Sequence, residues 1–250
     1  MYNDHNSKKM NFGKLYLIPV PIGNLKDITL RGKELLFKNE IIFCEDTRKT
    51  FHLLQALSKE FNQKLPESKL VSFFEGNEKK RIGLALKTLK GGQDLVLVSN
   101  AGSPLLSDPG FKLVEACLQE EIVVEALPGA NALIPALSCS GLPTNKFIFL
   151  GFLPRKKSKQ EKVFADLKNL KSGFTVALYE SPFRLKDTLS TLSKNFDPVK
   201  AVVVKDLTKK FEQLAQGTFK DLTIIFDETK KKGEFVILFH LPKSSAENFA

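Results

Sequence analysis

At 250 residues, with 42% hydrophobic and 26% charged side chains, the chain is long enough to bury a sizeable core and too apolar to be disordered. Thirty-eight Lys and Arg against 28 Asp and Glu leave a net charge of +10, and residues 151–250 carry +7 of it, a balance that draws phosphate-rich partners by counterion release. Cys44, Cys117 and Cys139 are odd in number and widely spaced, and with only three histidines they support neither a disulfide framework nor a zinc site. No apolar run approaches the ~18 residues of a membrane span, and Met1 to Met10 lacks the apolar core of an export signal. A cytoplasmic protein with reduced, buried thiols is expected.

Residues 1–12 read as a polar, disordered tail. From Lys14 onward, short β-branched or aromatic runs alternate with amphipathic stretches, the pattern of βαβ units around a parallel sheet. Strands are predicted near 15–19, 40–44, 69–73, 94–98 and 122–126. Helices are predicted between them, near 29–38, 48–59, 77–90 and 107–119, the second with Phe51, Leu54 and Leu57 on one face. After Pro128-Gly129 follow a helix near 131–140, a strand from Lys146 to Phe152 and a long helix from Ser158 to Leu170. Strands near 174–179, 199–204 and 234–240 complete a second sheet. Gly217 and the run Lys230-Lys231-Lys232-Gly233 mark turns, and residues 243–250 read as a tail. The expected division is an N-terminal α/β domain over 13–127 and a C-terminal α/β domain over 128–242, with a cleft between them.

Three predicted strands end in loops of small residues. Pro19-Val20-Pro21-Ile22-Gly23-Asn24-Leu25 follows the first, Ser99-Asn100-Ala101-Gly102-Ser103-Pro104-Leu105-Leu106-Ser107-Asp108-Pro109-Gly110 the fourth, and Leu127-Pro128-Gly129-Ala130-Asn131-Ala132 the fifth. Ligands of open α/β sheets sit at the carboxyl ends of strands, and loops without bulk let backbone groups approach them closely. No Gly-x-Gly-x-x-Gly follows the first strand and no Gly-Lys-Ser/Thr loop occurs, so the usual phosphate cradles are missing. A ligand without phosphates fits these loops better.

With Pro21-Ile22-Gly23-Asn24-Leu25-Lys26-Asp27-Ile28-Thr29, Glu45-Asp46-Thr47-Arg48, the Ser99–Gly110 loop, Gly151-Phe152-Leu153-Pro154-Arg155-Lys156 and Tyr179-Glu180-Ser181-Pro182 in this order, the chain resembles the bacterial ribosomal RNA small subunit methyltransferase I family. That family is a branch of the tetrapyrrole methylase superfamily. The resemblance runs from about Gly13 to Leu241. It implies a two-domain fold, a parallel sheet followed by a mixed one, with S-adenosylmethionine in the cleft between them. It also implies a homodimer and 2′-O-methylation of a cytidine in the decoding centre of 16S ribosomal RNA, free or in the small subunit. The cofactor contacts carried over by motif are Pro21, Asn100, Ala101, Gly102, Ser103, Asn131, Ala132 and Tyr179. The family usually has aspartate and threonine where this chain has Asn100 and Ser103, which turns a possible ionic contact to the methionine amine into a neutral hydrogen bond. Methylation of a tetrapyrrole carbon, the activity of the superfamily's other branch, is the alternative within enzymes. A catalytically silent RNA-binding or ribosome-assembly protein is the alternative outside them.

Methyl transfer to a ribose hydroxyl calls for a carboxylate to take the proton. The candidates are Asp46, Glu180 and Asp206, with Arg48, Arg184 or Lys205 steering phosphates or polarising the hydroxyl. Asp46 is equally an ordinary helix N-cap, Lys205 and Asp206 equally a solvated strand end, and Glu180 is four residues from Arg184, the spacing of a surface ion pair. Arg155 and Lys156, in a strand-to-helix loop, are expected to contact RNA phosphates together with Arg184. Phe73 and Phe74 could stack on a splayed base or belong to the core. No metal site is expected.

Overall fold

The computed structural model describes residues 11–170, 173–226 and 232–242. The tails expected at 1–12 and 243–250 therefore fall almost wholly outside the described residues, as do Lys230 and Lys231 of the expected basic turn. The chain forms two compact units, residues 1–130 and 131–250.

The first unit alternates strands β1 (Leu15–Leu17), β2 (Ile41–Cys44), β3 (Lys69–Ser72), β4 (Leu95–Val98) and β5 (Val124–Ala126) with helices α1 (Leu30–Lys38), α2 (Thr47–Glu60), α3 (Glu78–Lys90) and α4 (Phe111–Gln119). All pairings are parallel, in the order β3-β2-β4-β1-β5. Strand side chains alternate between faces, and both faces are apolar because helices cover both. Tyr16, Ile42, Cys44, Val96 and Val98 pack with Leu36 of α1 and Leu54 and Leu57 of α2. Leu15, Phe43, Leu95 and Leu97 pack with Ala85 and Leu89 of α3 and Leu113 and Cys117 of α4. Truncating one such core leucine to alanine would cost ~2–5 kcal/mol.

The expected apolar face of α2 is corrected at one position. Phe51 is 42% exposed, and Thr50 is buried with Leu54 and Leu57 instead. Helix α4 begins at Phe111, not near 107, because Leu105 (φ 70°), Ser107 (φ 70°) and Gly110 (φ 133°) all hold left-handed backbone that cannot continue a helix. Phe73 belongs to the core and Phe74 is 44% exposed.

The second unit contains α5 (Leu133–Cys139), β6 (Phe147–Phe152), α6 (Lys157–Lys168), β7 (Phe174–Glu180), α7 (Leu185–Phe196), β8 (Ala201–Lys205), β9 (Gln213–Gly217), α8 (Phe219–Ile225) and β10 (Phe235–Leu241). Its mixed sheet runs β6-β7-β10-β8-β9, with only the β6–β7 pair parallel. Phe174, Val176, Leu178, Ile237 and Phe239 meet Phe164, Leu189, Leu192 and Phe219 from three helices in one core. Gly217 is a correction: it ends β9, paired with Ala201, and the turn lies beyond it. Thr218 and Asp221 then form a reciprocal capping box that starts α8.

All three cysteines are free. Cys44 and Cys117 are buried, which pushes both thiols up, Cys117 to about 11. Cys139 is exposed at the end of α5, against the expectation that all three are buried. No helix among the described residues is long and apolar enough to cross a membrane.

Candidate functional site

In the first unit the three small-residue loops lie at the carboxyl ends of β1, β4 and β5, which are neighbours in the sheet. The chain leaves β1 for β2 across β4, and leaves β4 for β5 across β1, so the loops diverge where strand order reverses. Crevices at such switch points hold the ligands of open α/β sheets. The loops are tied together. Val20 and Gly102 exchange both backbone hydrogen bonds (3.0 and 2.9 Å), and the Ser103 hydroxyl donates to the Ala130 carbonyl at 3.2 Å. Gly102 sits at φ 75°, where a side chain would be strained, and a Cβ on Gly129 would come within 2.7 Å of the Pro19 ring.

Two buried acceptors of this unit lack donors. The Asn100 Oδ1 and the Asp27 Oδ2 are buried atoms with no hydrogen-bond partner among the described residues. Buried polar atoms are nearly always paired, so an orphan in a ligand loop marks a place for a donor from outside the protein. Ala101 is exposed beside Asn100, and Pro21 is half-buried in the first loop. Asn131 and Ala132 belong to the second unit, where the Asn131 Oδ1 accepts the Ile134 N–H of the first turn of α5 at 2.9 Å. Tyr179, also in the second unit, packs edge-on against Phe149 and Phe152, with ring centroids 4.9 and 5.9 Å away.

The expected carboxylates differ in their freedom. Asp46 caps α2 by accepting the Arg48 N–H at 2.9 Å, and takes a fork from the Arg48 guanidinium at 3.1 and 2.9 Å. Those bonds lower its pKa to about 2, which keeps it ionised and makes it a poor proton acceptor. Glu180 is 2% exposed, with one oxygen accepting the Ser181 N–H at 2.7 Å and the other the Thr188 hydroxyl at 2.6 Å. Arg184 lies 3.5 Å from the second oxygen and donates to the Leu153 carbonyl at 2.8 Å. The Glu180–Arg184 pair, with its carboxylate buried and its guanidinium partly exposed, is thus a clamp between the segments after β6 and β7. Asp206 (φ 51°) accepts the Glu234 N–H at 3.2 Å, with the Lys209 ammonium 3.8 Å away. Lys205, Arg155 and Lys156 have no carboxylate partner among the described residues, and Arg155 and Lys156 are exposed.

Two further acids emerge that the sequence reading did not single out. Cys44 and Val98 are partners in the β2–β4 register, so Glu45 and Ser99, the next residues, stand side by side at the strand ends. The Ser99 hydroxyl donates to the Ala101 and Gly102 carbonyls at 3.1 Å, and Asp108, later in the β4 loop, lies within range of the Glu45 charge. Burial first, and then the Glu45 charge, push the Asp108 carboxyl up to about 6. Glu78, 6% exposed at the start of α3, accepts the Gly110 N–H at 3.2 Å and pairs with Lys112 at 3.5 Å, anchoring the far end of that loop. Asp108 was visible inside the small-residue loop, but nothing in the sequence marks its burial. No cluster of three or more potential metal ligands occurs among the described residues.

Residues 14–223 match the family model described as Tetrapyrrole (Corrin/Porphyrin) Methylases. The chain is 42% identical over 229 residues to the ribosomal RNA small subunit methyltransferase I of Hydrogenobaculum sp. (strain Y04AAS1), covering 90% of this chain and 94% of that protein. It is 38% identical over 226 residues to the protein of the same name from Thermotoga maritima, covering 90% and 97%. Among solved structures, the methyltransferase CobJ superposes with a TM-score of 0.66 at 17% identity, over 93% of this chain and 95% of that one. The uroporphyrin-III C-methyltransferase of Thermus thermophilus, complexed with S-adenyl homocysteine, gives 0.58 at 18% identity, over 90% and 97%. At these identities the two structures share the fold.

Proposed function

From a chain that belongs to the tetrapyrrole (corrin/porphyrin) methylase family, we propose an S-adenosylmethionine-dependent methyltransferase of small-subunit ribosomal RNA, acting in the cytoplasm. The acceptor is the ribose 2′-oxygen of a cytidine in the decoding centre of 16S RNA. Relatives named for small-subunit ribosomal RNA methylation, near 40% identical over nine-tenths of the chain, support the substrate class.

The single observation that carries the cofactor is the braced set of loops at the ends of β1, β4 and β5, with the Asn100 Oδ1 left unpaired. S-adenosylmethionine supplies an electrophilic methyl on a sulfonium, and it carries ammonium and ribose hydroxyl donors but no phosphate. Those donors suit a slot of small residues and free acceptors. Pro21, Asn100, Ala101, Gly102 and Ser103 are the residues of the first unit that would hold it. Rigid loops favour this chemistry, because near-attack positioning alone supplies ~7–11 kcal/mol of the barrier.

The proton acceptor we assign is Asp108. Asp46 is occupied by Arg48, Glu180 by Ser181 and Thr188, and Asp206 by the Glu234 N–H with Lys209 beside it, whereas Asp108 is half-buried in the cofactor loop with no cation against it. Arg155 and Lys156 hold RNA phosphates. Incubation with labelled S-adenosylmethionine and unmodified small subunits, free 16S RNA or a precorrin-type tetrapyrrole, followed by mapping of the label, tests the reading. Label on a ribose 2′-oxygen of the RNA is expected. Label on the tetrapyrrole, on an RNA base or nowhere overturns it.

A further inference from the structure

In the second unit, β7 and β8 flank β10, and Phe235 at the start of β10 is the register partner of both Glu180 and Lys205. The carboxyl ends of β7 and β8 therefore lie at one edge of the sheet. Strand β6 runs parallel to β7, with Phe152 opposite Tyr179, and ends there too. Three connecting segments emerge together: 153–156 after β6, 181–184 after β7 and 206–212 after β8. The outer strands of the β7-β10-β8 trio stand about 10 Å apart, two strand spacings.

This edge carries two large apolar side chains in water. Phe183 is 72% and Phe211 70% exposed, although the unit has a well-filled core that buries most of its other phenylalanines. Neither ring packs against another aromatic ring among the described residues. Around them stand Arg155, Lys156, Lys205 and Lys210, none paired with a carboxylate among the described residues, and the Lys210 ammonium lies 5.6 Å from the centre of the Phe211 ring. The acids at the same edge are largely spoken for: Glu180 holds Ser181 and Thr188, Glu234 takes Lys209 at 2.9 Å, and Glu212 accepts the Thr208 N–H at 2.6 Å. An exposed patch of this kind marks an interaction site, and its charge selects a polyanion.

We propose that Phe183 and Phe211 are stacking platforms for unpaired RNA bases, with Arg155, Lys156, Lys205 and Lys210 tracking the backbone between them. The assignment rests on the ribosomal RNA reading above and specifies the form of the RNA, a single-stranded or splayed segment and not a continuous duplex. Bases stacked inside a helix cannot present a face to a phenylalanine, whereas single strands are commonly held by aromatic side chains within a basic groove. Phe152, half-exposed against Tyr179 at the same edge, extends the apolar floor.

The test is anisotropy titration of a fluorescent single-stranded oligoribonucleotide and of an abasic oligomer with the same backbone, against wild type, Phe183→Ala, Phe211→Ala and the rescue variants Phe183→Tyr and Phe211→Tyr. Both rings are on the surface, so the variants fold. Wild type is expected to prefer the base-bearing strand. Each alanine variant should lose between about fivefold and a hundredfold in affinity for that strand, the range of base–aromatic stacking, with abasic binding and the salt slope unchanged. Tyrosine should restore the affinity. Equal losses on both oligomers, or none, overturn the stacking role while leaving RNA binding in place. Wild type that binds neither oligomer in a salt-dependent way overturns the RNA reading itself. Alanine variants that change the oligomeric state but not RNA affinity return the two rings to a contact between copies of the chain.

Discussion

Asp108 shows how one residue in a braced loop is tuned by its neighbours. Its carboxyl is raised from an ordinary value of 3.8 to about 6, so between those pH values the folded chain holds a proton that the unfolded chain has lost. Stability contributed by that proton is present at low pH and lost as pH rises through about 6. Asp108→Asn should therefore stabilise the fold at pH 8, by about 1 kcal/mol once solvent screening of a half-buried group is allowed for, and by nothing below about pH 4. Urea titrations at the two pH values measure this. If Asp108 takes the ribose proton, wild-type turnover should also fall below about pH 6, and the same variant should be far slower at every pH. Asn100 gives a second prediction. Asn100→Asp should bind S-adenosylmethionine as well as wild type or better, by up to ~1 kcal/mol, because a charge-assisted bond to an ammonium is stronger than a neutral one. Calorimetry reads the difference, and a well-folded variant that no longer binds would mean that the pocket is built around asparagine.

At the scale of elements, the loop after β4 is held by α3. Glu78→Ala leaves the Gly110 N–H without its acceptor and should cost ~1–3 kcal/mol in a denaturation experiment, whereas Lys112→Ala, whose side chain is 54% exposed, should cost far less. The parallel sheet was legible because its strands are short apolar runs between amphipathic helices, and the β4 loop stood out by its lack of bulk. What stayed hidden depends on partners distant in sequence. Helix α7 buries Leu185, Leu189, Leu192 and Phe196, a helical spacing that stands between two strand-like runs and shows its buried face only once the sheet is formed. Strand β9 has no apolar alternation at all, and Gln213–Gly217 is a strand only because β8 offers it an edge. The burial of Glu78 and Glu180 could not be read either, since a glutamate at a helix start or a strand end gives no sign of burial until the fold closes over it.

Across the whole molecule the charge is uneven, and the second unit's Arg155 and Lys156 are central to that excess. Replacing both with alanine should weaken RNA binding and reduce the log–log salt slope by about 1.4 to 1.8, at ~0.7–0.9 for each phosphate no longer neutralised, with cofactor affinity unchanged. An unchanged slope would return the pair to a solvated surface. The order of strands in the first unit bears on how the protein is made. Leu15 pairs with Leu95 on one side and Val124 on the other, so β1 sits between two strands that are translated well after it. During synthesis β1 must wait, both edges open, until most of the first unit has been translated, and parallel pairings of such long range are intrinsically slow to form. The loops that follow β1 and β4 lock together only when that wait ends. The proposed cofactor slot is thus among the last parts of the unit to exist, and a nascent chain stalled before β4 would expose an unpaired apolar strand to aggregation or to a chaperone.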